Sequence, residues 1–88
     1  MQEEQQEKYL IIKTMTFELI KYDIGVESPA NEDGNYSVNI TIGIHCTDNV
    51  VPDFSKDIIS TSNNSQTGTE VDLQREQEVN NYIIAINQ

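Results

Sequence analysis

The sequence predicts a small α+β domain: an antiparallel β-sheet, with a C-terminal helix packed on it. An all-β fold is the alternative. Three observations predict it. From Tyr36 to Cys46 every second residue is apolar, the period of a strand with one buried face. Ile and Val number 18 together against 3 Leu, and β-branched side chains fit a pleated, half-buried surface better than a helix. Residues 70–78 are rich in helix formers, and Val79, Ile83 and Ile86 follow them at i, i+4, i+7.

Taken in order, residues 1–7 are polar and acidic and read as a tail or the exposed first turn of a short helix. Residues 8–26, KYLIIKTMTFELIKYDIGV, read as a strand with a conflict inside it. Met15, Phe17 and Leu19 alternate in one phase, and Ile20, Tyr22, Ile24 and Val26 in the other. A slip of one residue reverses every side chain, so one straight strand cannot hold both sets on one face. A β-bulge near Leu19 and Ile20 resolves the conflict by inserting one extra residue, and two strands meeting at a bend is the other solution.

Residues 27–35, ESPANEDGN, concentrate turn formers: Pro29 fixes φ, Gly34 permits a positive φ, and Asp-Gly before an alternating run is a hairpin signal. The long strand follows over 36–47. Tyr36, Val38, Ile40, Ile42, Ile44 and Cys46 point to the core; Ser37, Asn39, Thr41, Gly43, His45 and Thr47 point away. That second face carries no formal charge, although the chain has 15 acidic residues. A face open to water usually carries some Lys or Glu, so this one is expected to be covered, by the rest of the chain or by a second copy.

Phe54 and Ile58 share i, i+4 spacing, which suggests a short helix beginning near Pro52. Residues 60–69, STSNNSQTGT, are uncharged and aperiodic and read as a mobile loop. The helix then starts with Thr69 as N-cap and reaches about residue 86, with a terminal strand over 82–86 as the rival.

The 88 residues make one domain, with 36% apolar residues and a formal net charge of −10. Nucleic acid and anionic membranes are poor partners for such a surface, because phosphate binding needs clustered Lys and Arg. The single cysteine excludes an intrachain disulfide, no apolar run reaches membrane-spanning length, and no secretory leader is expected because MQEEQQEKYL lacks a basic stretch followed by an apolar one. The cytoplasm is the expected compartment, a host's cytoplasm if the source is a phage.

Little in the sequence points to catalysis. His45 and Cys46 are neighbours on a strand, so they face opposite ways and cannot form a nucleophile–base pair. One His and one Cys are too few for zinc. The NEDGN stretch lacks the ligand spacing of a calcium loop. The 4 glycines are scattered, so no phosphate-cradling loop exists. Neither an enzyme nor a cofactor or metal is expected.

Charge distribution is the remaining clue. Residues 8–26 carry three Lys against Glu18 and Asp23, whereas residues 27–88 carry ten acids against Lys56 and Arg75. Connections and C-terminal segment are therefore acidic, and the strands nearly neutral. The expected role is a non-enzymatic inhibitor that occludes a basic, nucleic-acid-binding protein, in the manner of phage anti-defence or immunity proteins. The residues expected to meet that partner are Glu27, Glu32, Asp33, Asp48, Asp53, Asp57, Glu70, Asp72, Glu76 and Glu78, with Phe54 or Val51 as an apolar anchor. The alternative is a structural module, a homodimer formed through Asn39, Thr41 and His45. Finally, the order of long strand, Pro29-containing loop and long alternating strand resembles the start of SecB-type export chaperones over about half the chain, which implies a polypeptide-binding scaffold.

Overall fold

A computed structural model describes residues 16–88. Three strands, β1 (Phe17–Ile24), β2 (Asn35–Cys46) and β3 (Phe54–Asn63), precede one helix, α1 (Gly68–Ile86). The strands form an antiparallel meander in the order β1-β2-β3, so the long alternating segment is the central strand. The expected α+β class is what the chain adopts. The expectations for residues 1–7 and for the strand over 8–15 lie outside the described residues.

The phase conflict in β1 is resolved by a bulge. Leu19 pairs with Ile44 and Lys21 with Gly43, leaving Ile20 as the extra residue. Phe17, Leu19, Tyr22 and Ile24 thereby share the face of Ile44, Ile42 and Ile40. Gly43 is what admits the bulge: a Cβ there would stand 3.0 Å from the Lys21 Cβ and 3.5 Å from the Ile20 Cγ1. The turn before β2 is organised by Asn31, whose Oδ1 accepts from the backbone N–H of Asp33 (3.0 Å) and Asn35 (2.9 Å). Gly34 supplies the positive φ, 83°, that this turn requires.

The inner face of β2 is the core. Ile40, Ile42, Ile44 and Cys46 are wholly buried and Val38 nearly so. α1 lays Val79, Tyr82, Ile83 and Ile86 over them. The free Cys46 thiol is part of this interior.

Residues 54–63 do not follow the sequence reading. The expected short helix near Pro52 is instead the start of β3, with Phe54 opposite Ile44 and Ile58 opposite Ile40. The i, i+4 pair is also an i, i+4 pair on one strand face, and unpaired edge groups of β2 favour the strand. The expected mobile loop over 60–69 shrinks to four residues between Asn63 and Gly68. Ser60 and Ser62 occupy inner positions and are buried, with 1% and 4% of their surface exposed. Their hydroxyls meet the helix: Ser60 donates to the Glu78 carboxylate, and Ser62 Oγ accepts from Gln74 Nε2 (3.4 Å), which also donates to the Thr61 carbonyl (2.6 Å). The N-cap is Thr67, two residues before the expected Thr69. Its hydroxyl accepts from the Glu70 N–H (3.1 Å) while Glu70 Oε1 accepts from the Thr67 N–H (2.7 Å), a complete capping box.

Candidate functional site

Among the described residues, α1 packs on one side of the sheet only and leaves the other side open. Register places Glu18, Lys21 and Asp23 of β1, Asn39, Thr41, Gly43 and His45 of β2, and Asp57 of β3 on that open face, with Asp53 at its edge. The register also gives the charge-free face of β2 a cause within the sheet itself. Among the described residues nothing packs over it. It is the middle row of the face, half-buried between acidic neighbours. A carboxylate on β2 would stand opposite Glu18 or Asp23 on one side and Asp57 on the other, and like charges directly opposite are unfavourable. Small polar groups bond to those neighbours instead. Thr41 Oγ1 donates to Asp57 Oδ1 (3.0 Å) and accepts from Asn39 Nδ2 (3.2 Å). His45 Nδ1 lies 2.7 Å from Asp53 Oδ1. That hydrogen bond, against a smaller opposing effect of burial, raises the His45 pKa above its ordinary value.

Two rows of carboxylates result, Glu18 and Asp23 on β1 and Asp53 and Asp57 on or beside β3. They lie about 10 Å apart, twice the interstrand spacing. Lys21 pairs with Asp23 at 3.3 Å, an exposed contact. Glu18 and Asp23 are absent from the residues singled out by sequence. The bulge is what turns both outward, and its phase shift in the apolar pattern was the signal available.

The predicted partner-binding residues do not form one patch. Glu32 and Asp33 lie in the β1–β2 turn, which is tied to the β3–α1 turn by Asn63 Nδ2 donating to the Asp33 carbonyl (3.0 Å) and by the Asn64 N–H donating to the Gly34 carbonyl (2.9 Å). Glu70 and Asp72, in the first turns of α1, belong to that same end. Asp48 and Asp53 lie at the opposite end, in the β2–β3 connection. Glu76 and Glu78 are on the helix. Several are already engaged: Glu27 with Arg75 (3.4 Å), Asp53 with His45, Asp57 with Thr41, Glu70 in the cap and Glu78 with Ser60. Glu32, Asp33, Asp48, Asp72 and Glu76 are exposed. Phe54 is not a loop anchor; it stands edge-on to Phe17, ring centroids 6.1 Å apart, against the core. Val50 and Val51, in the β2–β3 connection, are the large apolar groups exposed to solvent there.

The inner side has an opening of its own. Between β1 and α1 runs a groove of about 710 Å³, lined by Leu19, Tyr22, Leu73, Glu76, Gln77, Asn80 and Ile83. Burial and the nearby Glu76 carboxylate push the Tyr22 phenol above its ordinary pKa. Among the described residues no three His, Cys, Asp or Glu side chains gather as a metal site, and no helix is long and apolar enough to cross a membrane.

No family model, no curated protein and no solved structure matches this chain. The resemblance to SecB-type chaperones therefore rests on the strand–loop–strand order alone.

Proposed function

We propose that this chain is a non-enzymatic acidic binding protein that occludes a basic, nucleic-acid-binding protein partner, as phage anti-defence and immunity proteins do. The observation that carries the reading is the open sheet face. Two rows of carboxylates flank a neutral, half-buried central strand, and the hydrogen-bonded sheet holds them at fixed spacing. A groove built for phosphates meets there a rigid array of negative groups. Rigidity lowers the ordering cost of association, and the net charge of −10 steers a basic partner during encounter.

Affinity purification from the native host, with the retained protein then titrated at rising ionic strength, tests the reading. A retained basic protein whose affinity falls steeply with salt supports it. The fourfold variant Glu18→Gln, Asp23→Asn, Asp53→Asn, Asp57→Asn is expected to lose most of that affinity. A partner bound equally well at low and high salt defeats the proposal. The groove between β1 and α1 favours a second reading, a structural or polypeptide-binding module. Retention of the chain alone, with a concentration-dependent dimer in sedimentation equilibrium, selects the structural form of that reading.

A further inference from the structure

β2 turns the backbone groups of its odd-numbered residues towards β1 and its extension. The Ser37 carbonyl accepts from the Ser28 N–H (2.8 Å), the Ser37 N–H donates to Ser28 Oγ (2.9 Å), and the Asn39 carbonyl accepts from the Gly25 N–H (2.8 Å). Residues directly opposite in an antiparallel pair either exchange both hydrogen bonds or turn both groups away from each other. Thr61 and Ile59, opposite Ser37 and Asn39, therefore turn their N–H and C=O groups outward, and by alternation so do Asp57 and Ser55. The fold closes part of this outer edge of β3 itself. The Asn63 N–H donates to Gln66 Oε1 (2.7 Å), the Asn63 carbonyl accepts from the Gln66 N–H (2.9 Å), and the Thr61 carbonyl accepts from Gln74 Nε2 (2.6 Å). From Ile59 back to Ser55 the edge stays open. Among the described residues no partner meets the outward groups of Ser55, Asp57 and Ile59, and all three residues are exposed.

We infer that residues 55–59 of β3 are a strand-addition site, which takes an extended antiparallel segment of a partner protein in which basic residues alternate with aliphatic ones. Main-chain bonds to the open edge supply affinity in this mode, and alternate side chains supply specificity. On the open side of the sheet, a basic residue opposite Asp57 meets a carboxylate that Thr41 already holds (3.0 Å). A second basic residue opposite Ile59, which is 65% exposed, covers it with its aliphatic stem. On the helix side, an aliphatic residue opposite Ile58 extends the row that Ile58 packs against the core. Natural edges are often guarded by a lysine held out over them. Here Lys56 is drawn back instead, its Nζ 5.6 Å from the centre of the Tyr82 ring.

Charge selects this occupant over a second copy, which would bring its own net charge of −10 to the same edge and be repelled. The other outer strand is less suited to the task. The bulge at Ile20 breaks the spacing of β1, and Asn87 bonds to both the N–H (2.7 Å) and the carbonyl (3.0 Å) of Phe17. The inference deepens the proposed function: it rests on that reading for a basic partner and adds the main-chain edge that holds it beside the open face.

Hydrogen exchange, followed by NMR on the full chain, tests it with a short capped peptide of alternating lysine and valine as the probe. The Asp57 and Ile59 amides are expected to exchange freely in the chain alone, and severalfold more slowly with the peptide at millimolar concentration. The same peptide N-methylated at its lysines keeps every side chain and charge but loses the donors that face β3, and it is expected to give no such protection. Equal protection by both peptides means that charge alone holds them, and protection by neither means that the edge takes no strand. Slow exchange in the chain alone means that the chain itself or a second copy already covers the edge. Each of these three results overturns the inference. No native partner enters the test, so its failure is separate from that of the proposed function. A basic protein retained from the host, with the edge amides unprotected by the peptide, defeats the inference alone. Protected edge amides, with no basic protein retained, defeat the proposed function alone.

Discussion

β1 and β3 flank the same central strand, yet they are built in opposite ways. β1 turns Phe17, Leu19, Tyr22 and Ile24 towards the helix side, an aliphatic and aromatic row, and Leu19 and Ile24 remain substantially exposed. β3 turns Phe54, Lys56, Ile58, Ser60 and Ser62 towards the same side, and its two hydroxyls are buried. Burial here does not follow hydrophobicity. It follows the seating of α1, which is tied to β3 through Gln74 and Glu78 along its middle. To β1 it is tied at the end, through Asn87 to Phe17, and Arg75 reaches Glu27 beyond the strand. Serines at the seam let the helix approach closely and give its polar side chains partners. The aliphatic row of β1 is left as a surface rather than a core.

The largest expected effect tests which side is the true interior. Ile42 is wholly buried beneath the helix, so Ile42→Ala should cost about 2–5 kcal/mol, from lost transfer free energy and the cavity left behind. Leu19→Ala, at an open groove, should cost well below that. A Leu19→Ala loss near the Ile42→Ala value in urea denaturation would mean that the groove is sealed in solution.

Next comes the polar seam. Ser60→Ala leaves the Glu78 carboxylate without its hydroxyl donor at a part-buried position, and a loss of about 1–3 kcal/mol is expected. Glu78→Gln, which keeps an acceptor, should lose less. Equal stability of Ser60→Ala and the parent would show that the helix is held on β3 by Val79 and its apolar neighbours alone.

These two sides also mark what the sequence could and could not reveal. β2 was legible because its alternation runs unbroken through a central strand buried on one face. The bulge was legible because Ile20 breaks the phase set by Phe17 and Leu19, and the helix because Val79, Ile83 and Ile86 repeat at its period. The C-terminal half of β3 was hidden: Ser60, Ser62 and Asn63 occupy positions where a strand usually shows apolar residues, and their partners, Gln74, Glu78 and Gln66, lie beyond the strand itself. A polar core position cannot be told from a loop position until its hydrogen-bond partner is known. The open face was half legible. The missing charge on β2 was visible, but its cause, acids on both neighbouring strands, depends on register. The groove was not legible at all, because it is set by where the helix lies rather than by any local pattern.

Arg75 offers a smaller effect. It is buried on the inner side of α1, its Nε has no hydrogen-bond partner among the described residues, and its partner Glu27 is mostly exposed. Burying a charge with such weak compensation costs about as much as the pair returns. Arg75→Met, which keeps the length of the side chain, is therefore expected to leave stability within about 1 kcal/mol of the parent or to raise it. A loss of several kcal/mol would show that the Glu27 contact, and with it the docking of the β1–β2 connection, is a principal support of the helix.

The smallest effect concerns the open face and reads as a difference in pH dependence. His45 gains its Asp53 partner only in the folded state, and its folded pKa is raised. The contact therefore contributes fully below the unfolded value of about 6.5 and is lost as pH rises through the folded value. His45→Gln removes this term and keeps a polar side chain in the row. The thermal stability of the parent, relative to His45→Gln, should fall as pH is raised from about 6 towards 8. Working with the difference matters, because fifteen carboxylates also change charge at the acid end and repel less as they are protonated. A difference that is flat across this window would mean that His45 and Asp53 do not meet in solution, and that the β3-side row of the open face lacks the fixed geometry proposed for it.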